Sequence, residues 1–184
     1  MAGRLTLILG GARSGKSDFA RALAQKRGGD AVLFIATAEA RDDEMRTRIE
    51  KHRADRPSQW KTIEAPRAIA HALVSAPSAR VVLLDCVTLW VSNVLLTNER
   101  NVEDAMTHEL EEFLVWYRAA QVELIVVSNE VGMSIVPENK LGRAFRDLLG
   151  ASNQKLVALA DEVFWLVAGL PIEVKALAAR LENL

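Results

Sequence analysis

Apolar residues occur along this chain in short continuous runs, separated by longer stretches in which they recur every third or fourth position. The runs Leu5 to Leu9, Val32 to Ala36, Val81 to Leu84, Glu123 to Ser128 and Val163 to Val167 are short and lack in-out alternation. They predict strands covered on both faces, as in a parallel sheet. Ser17 to Arg27 predicts a helix with Phe19 and Leu23 at i, i+4, stopped by Gly28 and Gly29. A charged helix is predicted from Asp42 to about Arg56, before Pro57, with Met45, Ile49 and His52 on one face. On the same helix Arg48, His52 and Arg56 would form an i, i+4, i+8 column. Lys61 to Glu64 reads as a short strand, and Pro66 as the first turn of a helix that buries Ile69 and Leu73. Leu89, Trp90, Val94, Leu95 and Leu96 predict a buried helix, Thr97 to Asn101 a polar connection, and Val102, Met106, Leu110, Phe113 and Tyr117 a long amphipathic helix. Helical spacing resumes through Leu141, Phe145, Leu148, Leu149, Leu156 and Leu159. Val163 to Val167 is then expected to be the last strand, closed by Gly169 to Pro171, with an Ala-rich helix from Glu173 to Leu184. Strands alternating with helices imply an α/β fold, a mainly parallel sheet flanked by helices and joined by right-handed crossovers.

Composition narrows the function classes. The 184 residues are expected to form one nucleotide-binding domain, residues 1–184, with no repeat or linker dividing it. Lys plus Arg is 23 against 24 for Asp plus Glu, so the net charge of -1 supplies no overall field for nucleic acid or an anionic membrane. No nucleic-acid partner is expected. Cys86 is the only cysteine, which excludes an intramolecular disulfide and favours a reducing compartment; it reads as a small buried hydrophobe after a strand. No apolar run approaches the roughly 18 to 20 residues of a membrane helix, and a cytoplasmic protein is expected.

Candidate chemistry begins at Gly10-Gly11-Ala12-Arg13-Ser14-Gly15-Lys16-Ser17, which fits the phosphate-binding pattern G-x-x-x-x-G-K-[ST] between a predicted strand and a predicted helix. Glycine lets backbone N–H groups close on an anion, and the helix N-terminus adds roughly half a positive charge. Lys16 would clamp the β and γ phosphates, and the Ser17 hydroxyl would hold Mg²⁺. Asp85, an acid closing the apolar strand Val81 to Leu84, has the form of the Walker B partner of that ion. Glu64 and Glu130 are weaker candidates for a ribose, metal or substrate hydroxyl. His52, with Arg48 and Arg56 one turn to either side and Arg53 beside it, could attack phosphorus through a neutral ring nitrogen while the arginines hold the anion. His71 and His108 read as structural or surface residues. Trp60, Trp90, Trp116 and Trp165 are expected to bury apolar area, with stacking on a base as the alternative for Trp60. On these residues alone two further readings stay open, a kinase moving only the γ-phosphate and a RecA-type nucleotide-gated module acting on nucleic acid.

With those residues in view, the sequence closely resembles the bifunctional adenosylcobinamide kinase and adenosylcobinamide-phosphate guanylyltransferase family of cobalamin biosynthesis. Four segments carry the resemblance. They are Gly10 to Ser17; Ile35-Ala36-Thr37 with Asp42-Asp43-Glu44-Met45; Arg48-Ile49, His52-Arg53 and Arg56-Pro57 through Trp60; and Asn129-Glu130-Val131-Gly132-Met133-Ser134-Ile135-Val136-Pro137-Glu138-Asn139. Similarity extends from about Leu5 to Lys175, and the tail beyond is given no role. The resemblance implies a RecA-like phosphate-loop fold, a homotrimer, and two steps on one nucleotide-binding protein. The γ-phosphate of ATP or GTP goes to the aminopropanol hydroxyl of adenosylcobinamide. His52 then takes GMP from GTP, releasing pyrophosphate, and passes it to adenosylcobinamide phosphate to give adenosylcobinamide-GDP. By the same resemblance, nucleotide contacts fall on Gly10, Gly11, Ala12, Arg13, Ser14, Gly15, Lys16, Ser17, Thr37, Ala38, Glu39, Arg53, Ala54, Asp55, Arg56, Glu64 and Asp85. Ser134 stands where the family commonly has glycine, so its loop is expected to strain or shift if that position needs positive φ.

Overall fold

A computed structural model describes residues 3–97 and 101–179. In chain order the elements are β1 (Leu5–Gly10), α1 (Lys16–Gly28), β2 (Val32–Ala36), α2 (Asp43–Ala54), β3 (Lys61–Glu64), α3 (Ile69–Val74), β4 (Val81–Asp85), α4 (Val87–Leu95), α5 (Val102–Ala120), β5 (Glu123–Val127), α6 (Lys140–Leu159), β6 (Glu162–Val167), β7 (Leu170–Glu173) and α7 (Val174–Leu177). The seven strands form one sheet in the order β3-β2-β4-β5-β1-β6-β7. Strands β1 to β6 are parallel to their neighbours, whereas β7 runs antiparallel to β6.

The continuous apolar runs are explained by helices on both sides. One face of the sheet buries Leu5, Leu7, Leu33, Ile35, Val82, Leu84, Leu124 and Val126 against α3 to α6, whose stripes contribute Ile69, Trp90, Met106, Phe113 and Leu149. The other buries Ile8, Val32, Phe34, Leu83, Ile125 and Val127 against Ala20 and Ala24 of α1. Every one of these strand residues loses its water-exposed surface, at roughly 25 cal/mol per Å² of apolar area, so neither face can be polar. Parallel pairing gathers the carboxyl ends of the strands at one edge, with Ala36 opposite both Glu64 and Asp85, and Asp85 opposite Val127. Binding loops of open α/β sheets lie at that edge.

Three sequence expectations change. Val163 to Val167 is not the last strand: the chain reverses at Ala168 and Gly169, both at positive φ, and Leu170–Glu173 adds β7 at the sheet edge. Pro171 is tolerated because an edge strand need not donate from every N–H. Pro66 lies outside α3, which starts at Ile69, although Ile69 and Leu73 are buried as expected. The helix expected from Glu173 is confined to Val174–Leu177 in the described part of that stretch; residues 180–184 lie outside the described residues, as do residues 98–100 of the predicted polar connection. Trp60 is buried and its indole N–H donates to the Gly29 carbonyl at 3.0 Å, so it serves the core and not a base.

Candidate functional site

The loop between β1 and α1 is shaped by contacts that leave no space for larger residues. A Cβ at Gly10 would stand 2.6 Å from the Leu166 carbonyl oxygen and 2.7 Å from Ser14 Oγ. Gly15, at φ 90°, caps α1 in the left-handed region and passes 3.3 Å from the Cα of Gly169 at the position its Cβ would take. Gly169 N–H donates to the Ser14 carbonyl at 2.9 Å, and Glu130 N–H donates to the Gly10 carbonyl at 3.1 Å, so neighbouring loops brace the turn from both sides. Lys16 is buried, and its ammonium donates to the Gly11 carbonyl at 2.5 Å. Burial holds its pKa below the usual lysine value, although the neighbouring Asp85 carboxylate opposes that shift.

Asp85 ends β4 beside this loop. Its carboxyl is pushed up from the ordinary carboxylate value by burial, while a hydrogen bond from Ser17 and the nearby His52, Arg21 and Arg56 oppose that shift. Ser17 and Asp85, the residues expected to share a Mg²⁺ ion, thus lie within hydrogen-bonding reach of each other, and His52 lies near Asp85. Cys86, next in the chain, is pushed up to about 11 by burial and by Asp85, which keeps it a thiol at neutral pH. Thr37 is fully buried; its hydroxyl donates to the Cys86 carbonyl at 2.7 Å and accepts from the Cys86 N–H at 2.8 Å. Thus the ends of β2 and β4 are joined.

The helix α2 supplies the basic side. Asp42 caps it by accepting from Met45 N–H at 2.7 Å, and none of its residues is buried, although Met45, Ile49 and His52 are half-buried on the predicted face. The arginine column is shorter than expected, because α2 ends at Ala54, with Ala54 and Asp55 exposed. Arg56 instead turns inward, its guanidinium 3.8 Å from the centroid of the Phe34 ring. Burial lowers the Arg56 pKa, and its Nε is buried without a hydrogen-bond partner among the described residues. Arg48 is near enough to Lys16 for its charge to be felt there. Arg53 pairs with Glu64, both exposed. Glu39 pairs with Arg41 at 2.6 Å, and Ala38 is half-buried between Thr37 and that pair.

The fold thus brings together Gly10 to Ser17, Thr37, His52, Arg53, Arg56, Glu64 and Asp85 at one edge of the sheet. The Glu130 carboxylate accepts from its own loop, from Gly132 N–H at 2.5 Å. His71 and His108 are exposed, with His108 beside Glu112. Ser134 does not adopt positive φ, and its hydroxyl donates to the Val131 carbonyl at 3.0 Å, so the strain expected from replacing glycine is absent.

Residues that motif reading passed over complete the frame. Asn93, buried on α4, donates to the Thr37 carbonyl at 2.8 Å and the Pro66 carbonyl at 3.1 Å. Its signal was available, as a lone amide within the apolar run Trp90 to Leu96. Asn153 on α6 similarly accepts from the Ser128 hydroxyl at 2.7 Å and donates to the Asn129 carbonyl at 3.0 Å, anchoring the loop after β5. Arg21, one helical turn after Ser17, adds its charge to Asp85, and only its position on α1 could have suggested that.

Comparison with known proteins bears on this arrangement. Residues 6–174 match the family model described as cobinamide kinase / cobinamide phosphate guanyltransferase. The chain is 41% identical over 185 residues to the bifunctional adenosylcobalamin biosynthesis protein CobU of Salmonella typhimurium, spanning 93% of this chain and 99% of that relative. It is 44% identical over 170 residues to the bifunctional adenosylcobalamin biosynthesis protein CobP of Pseudomonas aeruginosa, spanning 92% and 96%. Among solved structures, the RadB recombinase superposes with a TM-score of 0.51 at 15% identity, over 89% of this chain and 74% of that one. The architecture shared with such proteins is the RecA-like phosphate-loop fold.

Proposed function

Because the chain belongs to the cobinamide kinase / cobinamide phosphate guanyltransferase family and is a bifunctional enzyme of that kind, we propose that both reactions use the single phosphate loop and that His52 is the covalent nucleophile. The observation that carries the proposal is proximity: His52 of α2 and Arg56 just after it lie close enough to Asp85, and Arg48 close enough to Lys16, to act on them, although α2 and the loop are separated in sequence.

A triphosphate fits these residues. Lys16 is buried with its ammonium on the loop's own carbonyl, and Arg56 holds a buried, unsatisfied N–H. Phosphate oxygens would satisfy both through charge-assisted bonds. Among the described residues no group of three or more His, Cys, Asp or Glu side chains could hold a metal ion. Mg²⁺ does not need one, since it keeps several waters and takes one or two protein ligands with substrate phosphates. Ser17 and Asp85 would hold it, and it would neutralise phosphate charge. ATP or GTP serves the first step and GTP the second.

In the first step the acceptor hydroxyl oxygen attacks the γ-phosphorus, the bond to the β-phosphate oxygen breaks and nucleoside diphosphate leaves. Lys16 and the loop N–H groups hold the phosphates in line. In the second, a neutral ring nitrogen of His52 attacks the α-phosphorus of GTP, and pyrophosphate leaves with the bonding pair. A phosphate oxygen of adenosylcobinamide phosphate then attacks that phosphorus, the P–N bond breaks and the imidazole is restored. Arg53 and Glu64 lie on the nucleoside side of His52 in this reading, where the carboxylate can accept from guanine N–H groups. The chain acts as one nucleotide-binding domain, in a cytoplasmic homotrimer, without nucleic acid. Among the described residues no helix is long and apolar enough to cross a membrane.

The test is incubation with GTP labelled at the α-phosphate, quenched under conditions that preserve an acid-labile phosphoramidate. Label is expected on His52 and absent from His52→Asn, which keeps the kinase step. Label on neither, in protein that still forms adenosylcobinamide-GDP, or equal label on both, would reject the covalent route.

A further inference from the structure

The sheet order β4-β5-β1 puts the end of β5 between the strand that closes in Asp85 and the strand that feeds the phosphate loop. The loop that leaves β5, Ser128 to Asn139, therefore starts beside the place where Lys16 would hold a γ-phosphate. Its base is fixed from three directions. Glu130 N–H donates to the Gly10 carbonyl at 3.1 Å, Asn129 N–H donates to the buried Thr88 hydroxyl of α4 at 2.9 Å, and Asn153 of α6 donates to the Asn129 carbonyl at 3.0 Å. The far end is fixed as well. The Arg143 guanidinium donates to the Pro137 carbonyl at 3.0 Å and the Glu138 carbonyl at 2.5 Å, and Asn139 caps α6 by accepting from Gly142 N–H at 2.7 Å.

Between these anchors the loop turns apolar side chains to solvent. Met133 is 77% exposed, Ile135 92% and Val136 60%, and no charged residue stands from Val131 to Pro137. Single exposed apolar residues need no explanation, but three within four positions beside a reaction site mark a surface that something covers. The backbone N–H groups of Met133, Ile135 and Val136 form no hydrogen bond among the described residues, so the same surface offers donors.

We propose that Met133, Ile135 and Val136 form the docking surface for the corrin ring of the acceptor, adenosylcobinamide in the first transfer and its phosphate in the second. Of the two substrates, the nucleotide is the polar one, met by Lys16 and the arginines. The acceptor has the other chemistry: a broad, largely apolar ring face, a rim of carboxamide arms, and the reacting hydroxyl at the end of one arm. Apolar side chains take the ring face, and the free N–H groups bond carboxamide oxygens. The hydroxyl-bearing arm then reaches the cradle past Asn129 and Glu130, whose backbone is fixed to the phosphate loop and to two helices. The phosphate made in the first transfer stays on that arm, so one seat serves both transfers. The second of these rests on the assignment of His52 above, and His52 lies near Asp85 on the adjoining strand.

The experiment puts a charge on this surface. In Ile135→Asp the KM for adenosylcobinamide in the kinase step and the KM for adenosylcobinamide phosphate in guanylyl transfer are each expected to rise on the order of tenfold with kcat little changed, the pattern of lost ground-state binding. Equilibrium dialysis of adenosylcobinamide, with a non-hydrolysable ATP analogue present, is expected to show the same factor in Kd, and Ile135→Leu to keep the native values. The KM for ATP, the rate at which α-labelled GTP alone marks His52, and the sedimentation of the particle are expected to stay native, which also reports that the variant is folded. Unchanged KM values for both acceptors, or an equal rise in the KM for ATP, would overturn the docking surface. A change in the number of copies per particle would overturn it too, and would assign the loop to a contact between subunits. If the native enzyme took no label on His52 the covalent route would fall, while the kinase-step KM and the dialysis would still decide the docking surface.

Discussion

Asn93 illustrates how one side chain decides the shape of a site it does not enter. Its buried amide satisfies the carbonyls of Thr37 and Pro66, and Thr37 in turn bonds both backbone groups of Cys86. Leaving such groups unpaired costs about 1–3 kcal/mol. Asn93→Leu is expected to lower the urea unfolding free energy by about that amount and to raise the KM for nucleotide, because Thr37 loses its anchor; equilibrium unfolding and steady-state kinetics check the two effects. At this scale the sequence was a partial guide. Lys16, Ser17 and Asp85 were legible because backbone geometry and charge demand those residue types at fixed offsets in a strand, loop and helix. Arg56 was legible as a cation and not as a buried one, since its inward turn depends on where α2 stops and where Phe34 lies.

Among elements, the end of α1 is tied to the sheet by a polar cluster. Arg27 donates to Thr6 at 2.9 Å and to Glu162 at 2.7 Å, and Thr6 also donates to Glu162 at 2.7 Å. Burial alone would raise the Glu162 pKa, but the bonds from Arg27 and Thr6 and the charges of Arg27 and Arg4 outweigh it and hold the group below its ordinary value of 4.5. A depressed folded-state value means that the folded protein favours the carboxylate. That stabilisation is complete above the ordinary carboxylate range and disappears as pH falls through the depressed value. Glu162→Gln is accordingly expected to cost about 1 kcal/mol at pH 7, the scale of a charge-assisted bond discounted for partial exposure. The difference from the native protein should vanish in chemical melts at progressively lower pH. The inner strands β1, β2, β4 and β5 were readable because burial on both faces requires uninterrupted apolar runs. The strand β7 was not, because four residues containing Pro171 have the composition of a turn and pair only once Ala168 and Gly169 reverse the chain.

For the whole molecule, nucleotide binding and folding are linked. A ligand at one hundred times its Kd stabilises the native state by about 2.7 kcal/mol. A matching rise in Tm is expected with GTP or a non-hydrolysable ATP analogue, and Lys16→Ala should remove most of it while leaving the melting of the free protein near that of the native chain. Differential scanning calorimetry at several nucleotide concentrations measures both. Sedimentation of the native enzyme should give three copies per particle, as the trimer reading requires.

The order of strands and helices, the phosphate loop with its lysine and the strand-end aspartate were determined by the chain itself, because periodicity and local steric demands act over a few neighbouring residues. The register that sets Asp85 beside Ala36 and Val127 and the meeting of α2 with the loop were decided only by the tertiary structure. Those depend on which strands become neighbours, and in the order β3-β2-β4-β5-β1-β6-β7 most pairs that touch lie far apart in sequence.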